Sequence, residues 1–368
     1  MSRPRPAPAT LRPSSVWPVP SAPSSSELGG SRSAAWPVVI AAGTAALVGL
    51  SVSAGVSLGA APIPLETVWS IVINKITPGT VASDWSAGRE SIVWDVRFPR
   101  AILAALVGAG LAVVGATLQS ATRNPLADPH LLGVSSGAAL GAIVALLHTG
   151  LVLGPLTVPL FAFCGALGAI VAVTSVARLT DAVSADRLVL AGVAASFVIG
   201  ALGSLLIYLG DPRAAHTVVF WMLGGFGLAQ WSHLLFPLTA LAAALAYLVV
   251  RARELNALAM GDETATALGL SVRRLRFRLF VVTALLTGVM VAFSGAIGFV
   301  GLMIPHVARL MVGSDNVRVV PASALLGAVA LVWADVVART VLAPEDLPIG
   351  VVTGLVGGIA FIILLCRR

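Results

Sequence analysis

The sequence predicts an all-α polytopic membrane protein, and three observations carry that prediction. Of 368 residues, 58% are hydrophobic and only 11% charged, and the mean hydropathy of +0.97 lies far outside the range of soluble domains. Apolar runs of roughly 20 residues, the length needed to cross a bilayer, recur between polar breaks. Finally, a Gly/Ala-rich apolar segment interrupted by Asn-Pro (97 to 142) returns with a Pro-His interruption at 283 to 328.

Residues 1–35 are rich in Pro, Ser, Ala and Arg and poor in large apolar groups. A disordered cytoplasmic tail is expected there, because too little apolar surface is available to offset ordering entropy. A cleaved signal peptide fits less well, since the first apolar run starts only at Trp36 and lacks a clear stop. About ten spans follow, near 36–58, 100–119, 131–149, 155–179, 188–209, 233–250, 278–296, 298–312, 319–341 and 348–366. The eighth is short and contains Pro305, which suits a half-helix. Between the first two, Leu65, Val68, Trp69, Val72 and Ile76 stand at helical spacing, so 64–76 is expected to lie in the membrane interface. Cys164 and Cys366 have no spacing that suggests a disulfide framework or a metal site, and both read as packing residues.

Charge sets the orientation. With the N-terminus inside, 17 of the 23 Lys/Arg fall in cytoplasmic segments, as the positive-inside rule requires, and both termini are then cytoplasmic. The six outside are Lys75, Arg89, Arg97, Arg100, Arg213 and Arg339. The net charge of +7 is thus a topology signal, and a nucleic-acid partner is excluded in favour of membrane lipid. The repeat pairs Ala105 with Ala284, Pro125 with Pro305, Gly133 with Gly313, and Leu140-Gly141-Ala142 with Leu326-Gly327-Ala328. Five spans per half is an odd number, so the halves, about 36–230 and 231–368, should be inverted repeats. Glycines 108, 110, 115, 133, 137 and 141 would let helices approach closely.

Eight ordered motifs now carry a resemblance. VRFPR (96–100), RNPLADPHLLGVSSGA (123–138), RLVLAGVA (187–194), WMLGGFG (221–227), MGDETATALGL (260–270), GAIGFVGLMIPHVARL (295–310), ADVVAR (334–339) and LPIGVVTGLVG (347–357) are similar to those of the iron-siderophore and cobalamin uptake permeases, the type II ABC importers. One departure is Ile359, where relatives usually carry Pro in the last span. The resemblance implies a permease body over 36–368 in the bacterial inner membrane. It also implies a second permease subunit, identical or not, cytoplasmic ATPases and an extracytoplasmic binding protein. Ferric siderophore is the expected substrate, with cobalamin and haem open; WMLGGFG and GAIGFVGL lean toward the cobalamin branch.

No G-x-x-x-x-G-K-[ST] is present and the only lysine is Lys75, so the chain has no phosphate cradle of its own. It is expected not to be an enzyme, to bind no cofactor directly, and to rely on ATP used by a partner. An ion-coupled secondary transporter is the rival of a different class, with Asp335 as its candidate membrane carboxylate. Asp335 also stands four residues before Arg339, a spacing that suits a structural ion pair.

By resemblance, Arg97, Arg100 and Arg339 meet glutamates of the binding protein. Asn124 and Leu126, facing Ala185 and Asp186, are expected to constrict the inner mouth. The loop 251–278, with Gly261, Asp262, Glu263, Ala267 and Gly269 at its centre, is expected to form two short helices that insert into the ATPase. His130 and His306 are read as helix-end residues rather than metal ligands.

Overall fold

The computed structural model describes residues 35–179 and 185–366. The expected tail thus lies outside the described residues up to position 34, and so do the side chains of Ala185 and Asp186. Contacts divide the chain into residues 1–43 and 44–368. In the first, the helical backbone begins at Ala35; the second holds the packing described next.

The helices are α1 (Ala35–Ser57), α2 (Leu65–Ile76), α3 (Ala87–Ser91), α4 (Phe98–Thr122), α5 (Val134–Ile143), α6 (Thr157–Leu179), α7 (Ala185–Leu209), α8 (Pro212–Met222), α9 (Trp231–Val250), α10 (Ala252–Met260), α11 (Asp262–Ala267), α12 (Val272–Ser294), α13 (Val300–Val312), α14 (Asn316–Thr340) and α15 (Ile349–Cys366). No strand occurs among the described residues. The six stretches Ala87–Thr122, Gly154–Val176, Leu190–Leu209, Trp231–Val250, Val272–Ser294 and Asn316–Thr340 are long and apolar enough to cross a membrane. Ala45–Ser57, Val134–Thr149, Val300–Val312 and Ile349–Ile363 are shorter apolar stretches at the remaining expected positions.

α4 is the axis of the core. It is buried almost throughout and packs against α14, α12, α13, α9 and α10; a helix apolar on all sides belongs at the centre. Pro99 lies in its first turn, directly after the π-helical stretch Ile92–Arg97. Arg123, in the left-handed region at φ 54°, closes it. The glycines act as expected. A Cβ on Gly108 would stand 2.1 Å from the Gly327 carbonyl oxygen of α14, and one on Gly115 would stand 1.8 Å from that of Gly301 on α13. Backbone therefore lies directly on backbone along α4.

Two expectations need correction. Cys164 and Cys366 are exposed, because an apolar run on a membrane helix faces lipid or another chain as readily as its own core. α2 needs none: it buries Val68, Ile71 and Val72 and leaves Leu65, Trp69 and Ile76 exposed. The span expected from 278 begins six residues earlier, since α12 takes in the basic stretch from Val272.

Candidate functional site

The polar side chains collect at the two ends of α4. At its first turn stand Arg97 and Arg100, and beside them Asp335 and Arg339 from the end of α14. All four are buried, Asp335 to 1% exposure. Asp335 is shared: Arg100 Nε donates to Oδ1 at 2.9 Å and Arg339 Nε to Oδ2 at 2.9 Å. Arg100 also pairs with Asp346, whose side chain is 37% exposed. The remaining donors go to the end of α1. Arg97 Nη1 donates to the Val56 and Ser57 oxygens at 2.9 and 3.1 Å, and its Nη2 to Ala61 at 2.6 Å. Arg339 donates to Leu58 at 3.0 Å and Gly55 at 2.7 Å.

Apart from Ala61, which lies in the loop beyond, these are carbonyls that a helix C-terminus leaves without intrahelical partners, and they carry its partial negative charge. Three cations are thereby held by two carboxylates and one helix end. Gly59 lies over them, where a Cβ would come within 2.9 Å of Arg97 Nη2 and 3.2 Å of Arg339 Nη1. Nearby, the Trp94 and Trp231 rings lie 4.9 Å apart at an interplanar angle of 36° and Trp231 Nε1 donates to the Trp94 oxygen, an amphipathic pair of the kind found at membrane interfaces.

The structure therefore brings Arg97, Arg100 and Arg339 to one place, with their donors already engaged inside the chain. The 335/339 ion pair expected from the i,i+4 spacing is present. Asp335 lies between two guanidinium groups, so its oxygens are occupied.

The opposite end of α4 is built differently. Gln119 Nε2 donates to the Gly301 and Leu302 oxygens at 3.2 Å each, and Arg309 donates to Gln119 Oε1 at 2.6 Å. Ser120 Oγ donates to Asn316 Oδ1 at 2.9 Å. Asn256 of α10 donates to Asp315 at 2.7 Å and accepts from Asn316 N and Nδ2 at 2.8 and 2.9 Å. Arg276 of α12, 4% exposed, donates from Nε to the Ala121 oxygen at 3.1 Å and from Nη2 to Asp262 at 2.7 Å. Arg123 Nη2 lies 3.9 Å from the same carboxylate. The Arg276 hydrogen bond is the main reason the Asp262 carboxyl is pulled below the usual carboxylate range.

Just beyond α4, Asn124 Oδ1 accepts from Leu126 N at 2.9 Å, an Asx turn, and Leu126 is 49% exposed. The expected mouth residues Asn124 and Leu126 therefore adjoin the loop expected to couple. That loop does form two short helices, α10 and α11, parted by Gly261 at φ 126°, ψ 155°, a conformation essentially restricted to glycine. Gly269 at φ 80° ends α11 with paired bonds from Leu270 N to Ala265 O and from Gly269 N to Thr266 O, a Schellman closure. Glu263 and Ala267 face outward.

His130 Nε2 lies 3.1 Å from the Ile297 oxygen and His306 is half-buried on α13. No cluster of three or more His, Cys, Asp or Glu suited to a metal occurs among the described residues. Sequence reasoning missed Arg276, Asn256, Asp315 and Asn316. Arg276 had a legible signal, because it falls on the same helical stripe as Leu279, Phe280, Thr283 and Thr287, all buried. Its neighbours in the basic run concealed it.

These features define a polytopic α-helical membrane protein whose buried polar side chains join helix ends. The chain matches the FecCD transport family over residues 45–367 and belongs to it. It is 37% identical over 323 residues to the hemin transport system permease protein HmuU of Yersinia pestis, covering 85% of this chain and 90% of that one. It is 42% identical over 309 residues to the vitamin B12 import system permease protein BtuC of Salmonella typhi, covering 82% and 92%. Among solved structures it resembles an inward-facing conformation of a metal-chelate type ABC transporter, with a TM-score of 0.75, 30% identity, and 89% and 99% of the two chains covered.

Proposed function

We propose that this chain is the permease subunit of a binding-protein-dependent ABC importer that passes an intact ferric siderophore through the inner membrane, with ATP hydrolysed by a separate subunit. The observation that carries the reading is the match to a metal-chelate type ABC transporter across nearly the whole of both chains. A second reading, haem or cobalamin as cargo, is favoured by relatives named for hemin and vitamin B12.

In this reading α10 and α11 face the cytoplasm and seat the ATPase. Met260 and Leu268, 63% and 62% exposed, support it, because apolar side chains left bare on a polar loop suit a protein partner. The Asn124 and Leu126 turn serves as the inner gate, facing the start of α7 at Ala185 and Asp186. Arg97, Arg100 and Arg339 form the seat of the binding protein. Since they are already engaged, a partner carboxylate would reach Arg100 by taking the place of half-exposed Asp346. Both termini are cytoplasmic, and a second permease subunit, the same or different, completes the pathway.

The test is uptake into proteoliposomes holding the permease with its ATPase and binding protein. ATP-dependent accumulation of labelled ferric siderophore is expected. Accumulation of haem or cobalamin instead selects the second reading. Uptake driven by an ion gradient without ATP overturns the importer and favours a secondary transporter.

A further inference from the structure

The last turn of α4 is strapped on two sides. On one side, Arg276 caps the helix through the Ala121 oxygen and grips Asp262 of α11 with the same guanidinium. The fork of a guanidinium is planar and rigid, so two acceptors bound by one arginine hold a fixed relation to each other. On the other side, Ser120 reaches Asn316, and Asn316 reaches Asn256 of α10. The chain then reverses at left-handed Arg123 and enters the Asn124 to Ala127 turn. No flexible segment separates the straps from that turn.

We propose that Arg276 is a positioning residue that makes α11 and the Asn124–Leu126 turn move together, by holding Asp262 and the Ala121 carbonyl in one grip. The proposal rests on the coupling role of α10 and α11 given above. It adds the route by which a displacement there reaches the gate: through the end of α4 rather than through the α12 backbone.

The assembled complex in proteoliposomes provides the test, with Arg276→Gln, Arg276→Lys and Asp262→Asn. Asp262 is partly exposed, so its variant should fold even if Arg276→Gln does not. ATP hydrolysed per molecule taken up should rise roughly tenfold in Arg276→Gln and Asp262→Asn, the scale of a typical coupling energy, and less in Arg276→Lys. A spin label at Leu126→Cys, with Cys164 and Cys366 replaced by Ser, should change its spectrum on nucleotide addition in the parent and not in Arg276→Gln. A purely structural arginine would lower thermal stability and leave both the ratio and the nucleotide response intact.

The clasp is overturned if Arg276→Gln and Asp262→Asn keep the parental ratio and the label still responds. Gly269→Pro separates the two levels. If it detaches the ATPase while the Arg276 variants couple normally, the clasp alone fails. If the ATPase stays bound in Gly269→Pro, the coupling role of α10 and α11 fails, and the clasp with it.

Discussion

The two ends of α4 solve opposite problems with the same residue type. At the Arg100 end, Arg100 and Arg339 share the one fully buried carboxylate, Asp335, beside buried Arg97, and removing Asp335 leaves charge without water. At the Ala121 end, Arg276 is equally buried, but its carboxylate partner Asp262 is partly exposed. Water can replace that partner when it leaves. The first end holds its charges among themselves, whereas the second uses its arginine to tie a partly exposed loop to the helix end.

The largest expected effect therefore comes from Asp335→Ala. It leaves Arg339 with main-chain oxygens but no carboxylate and takes one of the two carboxylates from Arg100, and losing one partner of a buried ion pair typically costs about 3–5 kcal/mol. The melting temperature of the detergent-solubilised protein should fall steeply, and a shift of only a degree or two would mean the cluster is hydrated. Next comes Gly115→Ala. Its Cβ would overlap the Gly301 carbonyl, so α4 and α13 must part, a kind of overpacking that costs roughly 1–3 kcal/mol. The same melt measures it.

Asp346→Ala is expected to change stability by less than about 1 kcal/mol, because that carboxylate is partly solvated and Arg100 keeps Asp335. Its value lies in binding. If Arg100 receives a carboxylate of the binding protein, freeing it should change the affinity of that complex, measured by titration calorimetry. Unchanged affinity would remove Arg100 from the docking site.

The smallest effect concerns acidity. Because the Asp262 carboxyl is held below its ordinary value by Arg276, its contribution is present above the unfolded carboxylate range, near pH 4, and is lost as pH falls through the lower folded value. Protease cleavage within 251–278 should stay flat from neutrality to about pH 4 and rise only below it. A rise beginning near pH 6 would point to another group.

Much of the fold was legible because crossing a bilayer demands long apolar runs, and these are visible without any knowledge of neighbours. The close-approach glycines were legible for a related reason, since small residues repeated on one helix have little other purpose. The partners of the arginines were not. Arg100 and Asp335 lie 235 positions apart, and Arg276 binds a main-chain oxygen, which every residue supplies and no sequence marks. The exposed cysteines show the converse limit: in a membrane protein, an apolar position carries no information about whether it faces inward.

The glycine contacts on α4 have a mechanical consequence. Where carbonyl presses on Cα, no rotamer remains to absorb a shift, so α4, α13 and α14 must travel as one solid block. Any widening of a passage has to come from parts that retain slack. Those include α7, largely bare over Leu190–Leu209, and α15, with Leu355, Val356, Ile359 and Ile362 uncovered.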